Sequence, residues 1–108
     1  MKKHIFSLQA DICRTLGNPK RLEIIDALCE KESTVTELAE RAGIPNANVS
    51  QHLAVLRAKK LVTTRREGVN IFYSIANPKI STACNMMREV LFQQLQEGGM
   101  LAKNFKVK

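Results

Sequence analysis

The chain has 108 residues, 17 Lys and Arg against 10 Asp and Glu for a formal net charge of +7, and only 5% aromatics; one domain fits this length, burying roughly two-thirds of its unfolded surface. Three cysteines without close pairing, Cys13, Cys29 and Cys84, argue against a secreted disulfide scaffold. No run approaches the roughly 18–20 apolar residues of a membrane span, and Gln9, Asp11 and Arg14 interrupt any signal-peptide core, so a cytoplasmic protein without a membrane partner is expected.

Ile5, Leu8, Ile12, Cys13 and Leu16 share one face of a first helix, expected over about 4–16 and ending at Gly17. Asn18-Pro19 then supplies a cap and a first-turn proline for a second helix with the stripe Leu22, Ile25, Leu28 and Cys29. Thr34 and Glu37 have capping-box spacing, Val35, Leu38, Ala39 and Ala42 repeat at helical spacing, and Gly43 stops the helix cheaply in the left-handed region. Pro45 and Asn46 are read as a first-turn proline and a cap candidate for the next helix, with Val49, Leu53 and Leu56 on its apolar stripe. Two short helices joined this tightly over about 34–60 form a helix-turn-helix.

Base readout is assigned to Asn46, Asn48, Ser50, Gln51 and His52, because amides pair bidentately with adenine and hydroxyls serve several bases. The bland alternative is an ordinary polar helix face, and for His52 an imidazole at the core edge that fixes helix orientation. Arg57, Lys59, Lys60, Arg65 and Arg66 follow with no acid among residues 57–66, a patch suited to phosphate. Residues 61–76 carry two β-rich arms around Glu67-Gly68-Val69-Asn70, which read as a hairpin. A helix-turn-helix followed by a basic hairpin is the outline of a winged helix.

Asn77-Pro78 opens a last helix over about 78–97 with the stripe Ile80, Ala83, Cys84, Met87, Val90, Leu91 and Leu95, stopped by Gly98-Gly99. The expected fold is mainly α with a small β-hairpin: helix, helix, helix-turn-helix, hairpin, helix. It forms a single winged helix-turn-helix domain over 1–99, with a loose basic tail over 100–108. The first and last helices carry more apolar surface than a small core requires, so a homodimer through them is expected. The five glycines build no phosphate cradle, and no catalytic constellation is present, so no enzyme and no cofactor are expected.

Several of these stretches, in order, resemble the ArsR family of winged-helix repressors. They are Leu16–Ile25, Val35–Ala39, Val49–Leu53 with Leu56, Leu61-Val62, Arg65–Gly68 and Phe72–Ile75. The resemblance implies a homodimer on double-stranded operator DNA, with the helix around 46–60 in the major groove, the hairpin as wing, and repression relieved by a small inducer. Many members bind metal through a Cys-x-Cys run, but residues 33–38 hold neither thiol nor imidazole, and residues 80–96 hold neither His nor Asp. No metal site is therefore expected. Cys13, Cys29 and Cys84 are candidate thiol sensors, weighed against small buried hydrophobes. The competing reading is a winged-helix protein-interaction module without an effector.

Overall fold

The computed structural model describes residues 2–98. Its elements in chain order are α1 (Lys2–Leu16), α2 (Pro19–Glu30), α3 (Val35–Ala42), α4 (Asn46–Ala58), β1 (Val62–Glu67), β2 (Asn70–Ile75) and α5 (Pro78–Glu97). The first helix begins earlier than its apolar stripe suggests, and the 100–108 tail lies outside the described residues.

Local chemistry sets most of the boundaries. Asn18 caps α2 by accepting from the backbone N–H groups of Lys20 and Arg21, and Asn77 caps α5 by accepting from Lys79. Thr34 and Glu37 close a full capping box on α3, and Gly43 ends that helix at φ 69°. The start of α4 departs from expectation. Pro45 is itself the N-cap, in extended conformation and with no side-chain cap, while Asn46 is the first helical residue. A proline ring offers no acceptor for the first backbone amides, and Asn46 Nδ2 donates to Thr36 Oγ1 of α3 at 3.3 Å.

The two strands pair antiparallel from Val62↔Ile75 to Glu67↔Asn70 around a two-residue turn, Gly68-Val69. Only Gly68 has a positive φ there, 62°, the φ pattern of a type II′ hairpin turn. Ser33 adds a one-residue bridge to Tyr73, with both backbone bonds made, so the loop before α3 anchors the hairpin to the helices.

The core comprises Ile24, Ile25, Ala27 and Leu28 of α2, Leu38 and Ala39 of α3, Val49, Leu53 and Leu56 of α4, and Leu61 and Val62 at the hairpin root. The expected α2 stripe is thus displaced. Ile24 and Ala27 join the core with Leu38 of α3 and Val49 of α4, whereas Leu22 and Cys29 are exposed. α5 buries no residue fully, and only Ile80 and Cys84 of it pack against the core. Met86, Met87, Val90 and Leu91 of α5, and Ile5, Phe6, Leu8 and Ile12 of α1, stand exposed. No helix among the described residues is long and apolar enough to cross a membrane.

Candidate nucleic-acid interface

The recognition helix α4 is held at its back by three side chains with no exposed surface, Val49, Leu53 and Leu56. Their i, i+4, i+7 spacing leaves Asn48, Ser50 and Gln51 exposed, all available to a ligand. Asn46 is exposed too, although its amide is engaged with Thr36. His52 is half-buried and committed on one side, because Arg21 Nε donates to its Nδ1 at 3.2 Å. A neutral imidazole that accepts at Nδ1 carries its proton on Nε2, so it can offer DNA only a donor.

Behind α4, the Asn-Pro-Lys-Arg run at the start of α2 does four separate jobs. Asn18 caps, Pro19 takes the first helical position, Lys20 Nζ donates to the α3 carbonyl of Ala42 at 3.0 Å, and Arg21 joins two helices. Arg21 Nη1 also donates to the carbonyl of Thr15 in α1 at 3.1 Å. The sequence reading placed no function on Lys20 or Arg21. Their density of charge beside a cap was a signal, but the acceptors lie 22 and 31 residues away in the chain.

The basic residues from the last turn of α4 onward fall into two groups. Arg57 and Arg66 are exposed, and so is Lys60, whose backbone has φ 60°, the one positive value outside glycine among the described residues. It closes α4 as a Schellman motif, with Leu61 N–H bonding Leu56 O at 2.9 Å and Lys60 N–H bonding Arg57 O at 2.9 Å. Lys59 and Arg65 are instead engaged within the chain. Lys59 Nζ pairs with Asp11 of α1, holding that carboxyl below its ordinary range. Arg65 Nε donates to both carboxylate oxygens of Glu32 at 3.0 and 2.9 Å and Arg65 Nη1 to Glu67 at 2.8 Å, with Phe72 beneath the guanidinium, 4.6 Å to the ring centroid. Arg65 holds Glu32 below the usual carboxylate range, and the two carboxylates raise Arg65 in turn. Both side chains remain substantially exposed, so solvent screens the pair and its effect is mainly on where the charge points.

The three thiols are free. Cys13 and Cys29 are exposed, and Cys84 is half-buried. Cys29 Sγ donates to Ser81 Oγ at 2.7 Å, which docks α2 on the first turn of α5. Cys84 stands one helical turn beyond Ser81. Burial pushes its thiol above the ordinary value, and the neighbouring Cys29 adds to the shift. Among the described residues, no three His, Cys, Asp or Glu side chains gather to hold a metal ion.

The HTH domain of bacterial regulatory proteins of the arsR family matches residues 18–64, the stretch from the cap of α2 into β1. Relatives extend the match. The uncharacterized HTH-type transcriptional regulator Rv0081 of Mycobacterium tuberculosis is 36% identical over 94 residues, 86% of this chain and 82% of that protein. The chain belongs to the arsR family. The regulator KmtR of Mycobacterium tuberculosis is 42% identical over 73 residues, 68% of this chain but 56% of KmtR, so the match spans little more than half of that relative. The transcriptional repressor PagR of Bacillus anthracis is 34% identical over 82 residues, 75% of this chain and 82% of PagR. Among solved structures, the homodimeric winged helix-turn-helix DNA-binding domain of a possible ArsR-family regulator from Mycobacterium bovis superposes with a TM-score of 0.82. It is 28% identical and covers 89% of each chain. The fold of this arsR-family chain is therefore the winged helix-turn-helix, and its class is transcriptional regulator.

Proposed function

We propose that this chain is a cytoplasmic, non-enzymatic, homodimeric repressor that binds a two-fold operator and is released by a small inducer or by modification of its thiols. The observation that carries the DNA-binding part is the separation of faces on α4. Three fully buried apolar side chains fix one side, and exposed amides and a hydroxyl occupy the other. Gln51, Asn48 and Ser50 read base edges, His52 contributes at most a donor, and Asn46 sits at the groove entrance. Arg57, Lys60 and Arg66 take phosphates, and Lys59 and Arg65 join them only by giving up carboxylates.

Residues 1–99 act as one DNA-binding domain. The exposed apolar faces of α1 and α5 meet those of a second copy, as the homodimer of the Mycobacterium bovis relative supports. Repression follows the name borne by PagR. Cys29, bonded to Ser81 at the α2–α5 contact, and Cys84, one helical turn farther along α5, are the favoured thiol sensors, and Cys13 on α1 is the less favoured.

The test is fluorescence anisotropy of the reduced protein on its own upstream duplex and on a scrambled duplex, at two salt concentrations and again after mild oxidation. Selective binding lost on oxidation supports both parts of the proposal. Selective binding that oxidation leaves intact removes the thiol trigger. Equal binding to both duplexes at either salt favours the protein-interaction reading.

A further inference from the structure

Two polar ties run from α1 to the recognition helix. Both leave from Asp11 and Thr15, one turn apart on α1 and joined by Thr15 Oγ1 donating to the Asp11 carbonyl at 2.8 Å. The first tie passes through Arg21, whose guanidinium donates to Thr15 O and to His52 Nδ1 in the middle of α4. The second is the Asp11 carboxylate on Lys59, the residue that caps the end of α4. The same helix exposes Ile5, Leu8 and Ile12 beside this polar pair.

α4 does not need these ties to stay on the core, because Val49, Leu53 and Leu56 are already fully buried. Apolar burial is non-directional, however, and leaves the tilt of a short helix soft. Hydrogen bonds are directional, with strength falling steeply off-axis. The planar guanidinium of Arg21 presents donors in a fixed fork, which suits it to hold two acceptors at a set angle.

We propose that Arg21, with Asp11 as a second arm, is a positioning residue that sets the angle between the dimerisation surface and the recognition helix, and with it the spacing of operator half-sites. This rests on the dimeric DNA-binding reading above. Its leverage can be estimated. With recognition helices about 34 Å apart, each lies about 17 Å from the two-fold axis, and a tilt of about 10° displaces it by about 3 Å, close to the rise of one base pair. A modest loosening of the ties is thus enough to blur the preference for one spacing without touching Asn48, Ser50 or Gln51, the only direct effect on readout being the release of His52 Nδ1.

The experiment is selection of binding duplexes from a randomised library by the wild type, Arg21→Lys, Asp11→Ala and the double variant, each confirmed dimeric and helical beforehand. Lysine keeps the charge of Arg21 but cannot hold two acceptors in a fork. Asp11→Ala is an exposed change that leaves the core intact and frees Lys59, so its overall DNA affinity holds or rises. The wild type should select two half-sites at one separation. The double variant should select the same half-site at separations spread over at least one base pair to either side, with each single variant intermediate. A double-variant pool with the wild-type separation overturns the proposal, and so does a half-site changed at more than the one base pair that His52 faces, which would place Arg21 in readout. No enriched sequence from the wild type, or half-sites at random spacing, would instead sink the DNA-binding or the dimeric reading beneath it.

Discussion

Lys60 offers a test in which stability and DNA binding should move in opposite directions. A residue with a Cβ at φ 60° crowds its own carbonyl, at a cost of about 1–2 kcal/mol. The Schellman bonds from Lys60 and Leu61 to Arg57 and Leu56 require that conformation, and glycine would adopt it without strain. Glycine also loosens the unfolded chain, which takes back about 0.4–1 kcal/mol. Lys60→Gly should therefore stabilise the fold by about 1 kcal/mol or slightly less, raising the melting temperature by about 4 °C. The same change removes one exposed cation. If Lys60 neutralises one phosphate, the slope of log K against log salt should flatten by about 0.9, equivalent to about eight-fold in affinity between 1 M and 0.1 M salt. Lys60→Ala is the control, losing the charge while keeping the strain.

Urea unfolding and anisotropy titrations across a salt series on the three proteins decide the matter. Lys60→Gly should be the most stable, and both variants should share the flattened slope. A Lys60→Gly protein that gains stability and keeps the wild-type slope would show that the lysine charge does nothing on DNA. One that gains no stability would refute the strain argument, whatever the DNA data show.

Glu32→Gln should release Arg65 toward phosphate, steepening the salt slope by up to about 0.9, and Arg65→Ala in that background should abolish the gain; an unchanged slope would mean that Arg65 does not face DNA. Gln51→Ala should cost about 1–3 kcal/mol on the selected operator and little on random duplex, and equal losses on both would remove it from readout. Bonds from Lys59, Arg65 and the Thr34 backbone hold Asp11, Glu32 and Glu37 below their ordinary values of 3.8, 4.5 and 4.5 in the fold. Their contribution is therefore complete above the unfolded values and lost as pH falls through the folded ones. The urea midpoint should hold on acidification to about pH 4.5 and fall below it, and a midpoint that rises there would contradict the assignments. Iodoacetamide at pH 8 should label Cys29 before Cys84, because burial pushes the Cys84 thiol up, and mass spectrometry showing the reverse order would refute the burial argument.

What could be read directly from the residues was local. Asn-Pro caps, the Thr34–Glu37 box, Gly43 and the Gly68 turn each act within four residues, so their spacing in the chain is their spacing in space. Polar ties over longer reach were hidden. Nothing near Arg65 announces Glu32, 33 residues earlier, so the wing reads from sequence as carrying a free arginine, and no pattern pairs Arg21 with His52, so His52 stays open between base contact and fixing the helix. Lys60 carried no glycine to signal its left-handed backbone. The α2 stripe went astray for a different reason. Leu22, Ile24, Ile25 and Leu28 all suit a core, and only the docking of the other elements decides which face of α2 is covered.

The distribution of burial also bears on where release could begin. α4 is locked by fully buried side chains, whereas α5 is fastened to its own chain mainly by Ile80, Cys84, the Cys29–Ser81 bond and the Asp26–Arg88 pair at 3.4 Å. Elements with little buried apolar contact open at low free-energy cost. Between α2 and α5 runs a groove of about 510 Å³ whose lining includes Leu22, Asp26, Arg88 and Phe92. A disulfide needs Cα atoms about 4.4–6.8 Å apart, so oxidation that joined Cys29 to Cys84 would fix the α2–α5 distance near the Cys29–Ser81 contact. Any adjustment this required would fall on the exposed length of α5, Met86 to Leu91, rather than on the buried side of α4. That surface is the one assigned to the second copy. On the proposed thiol trigger, oxidation at the α2–α5 contact would act first on the arrangement of the dimer and reach the recognition helices through it.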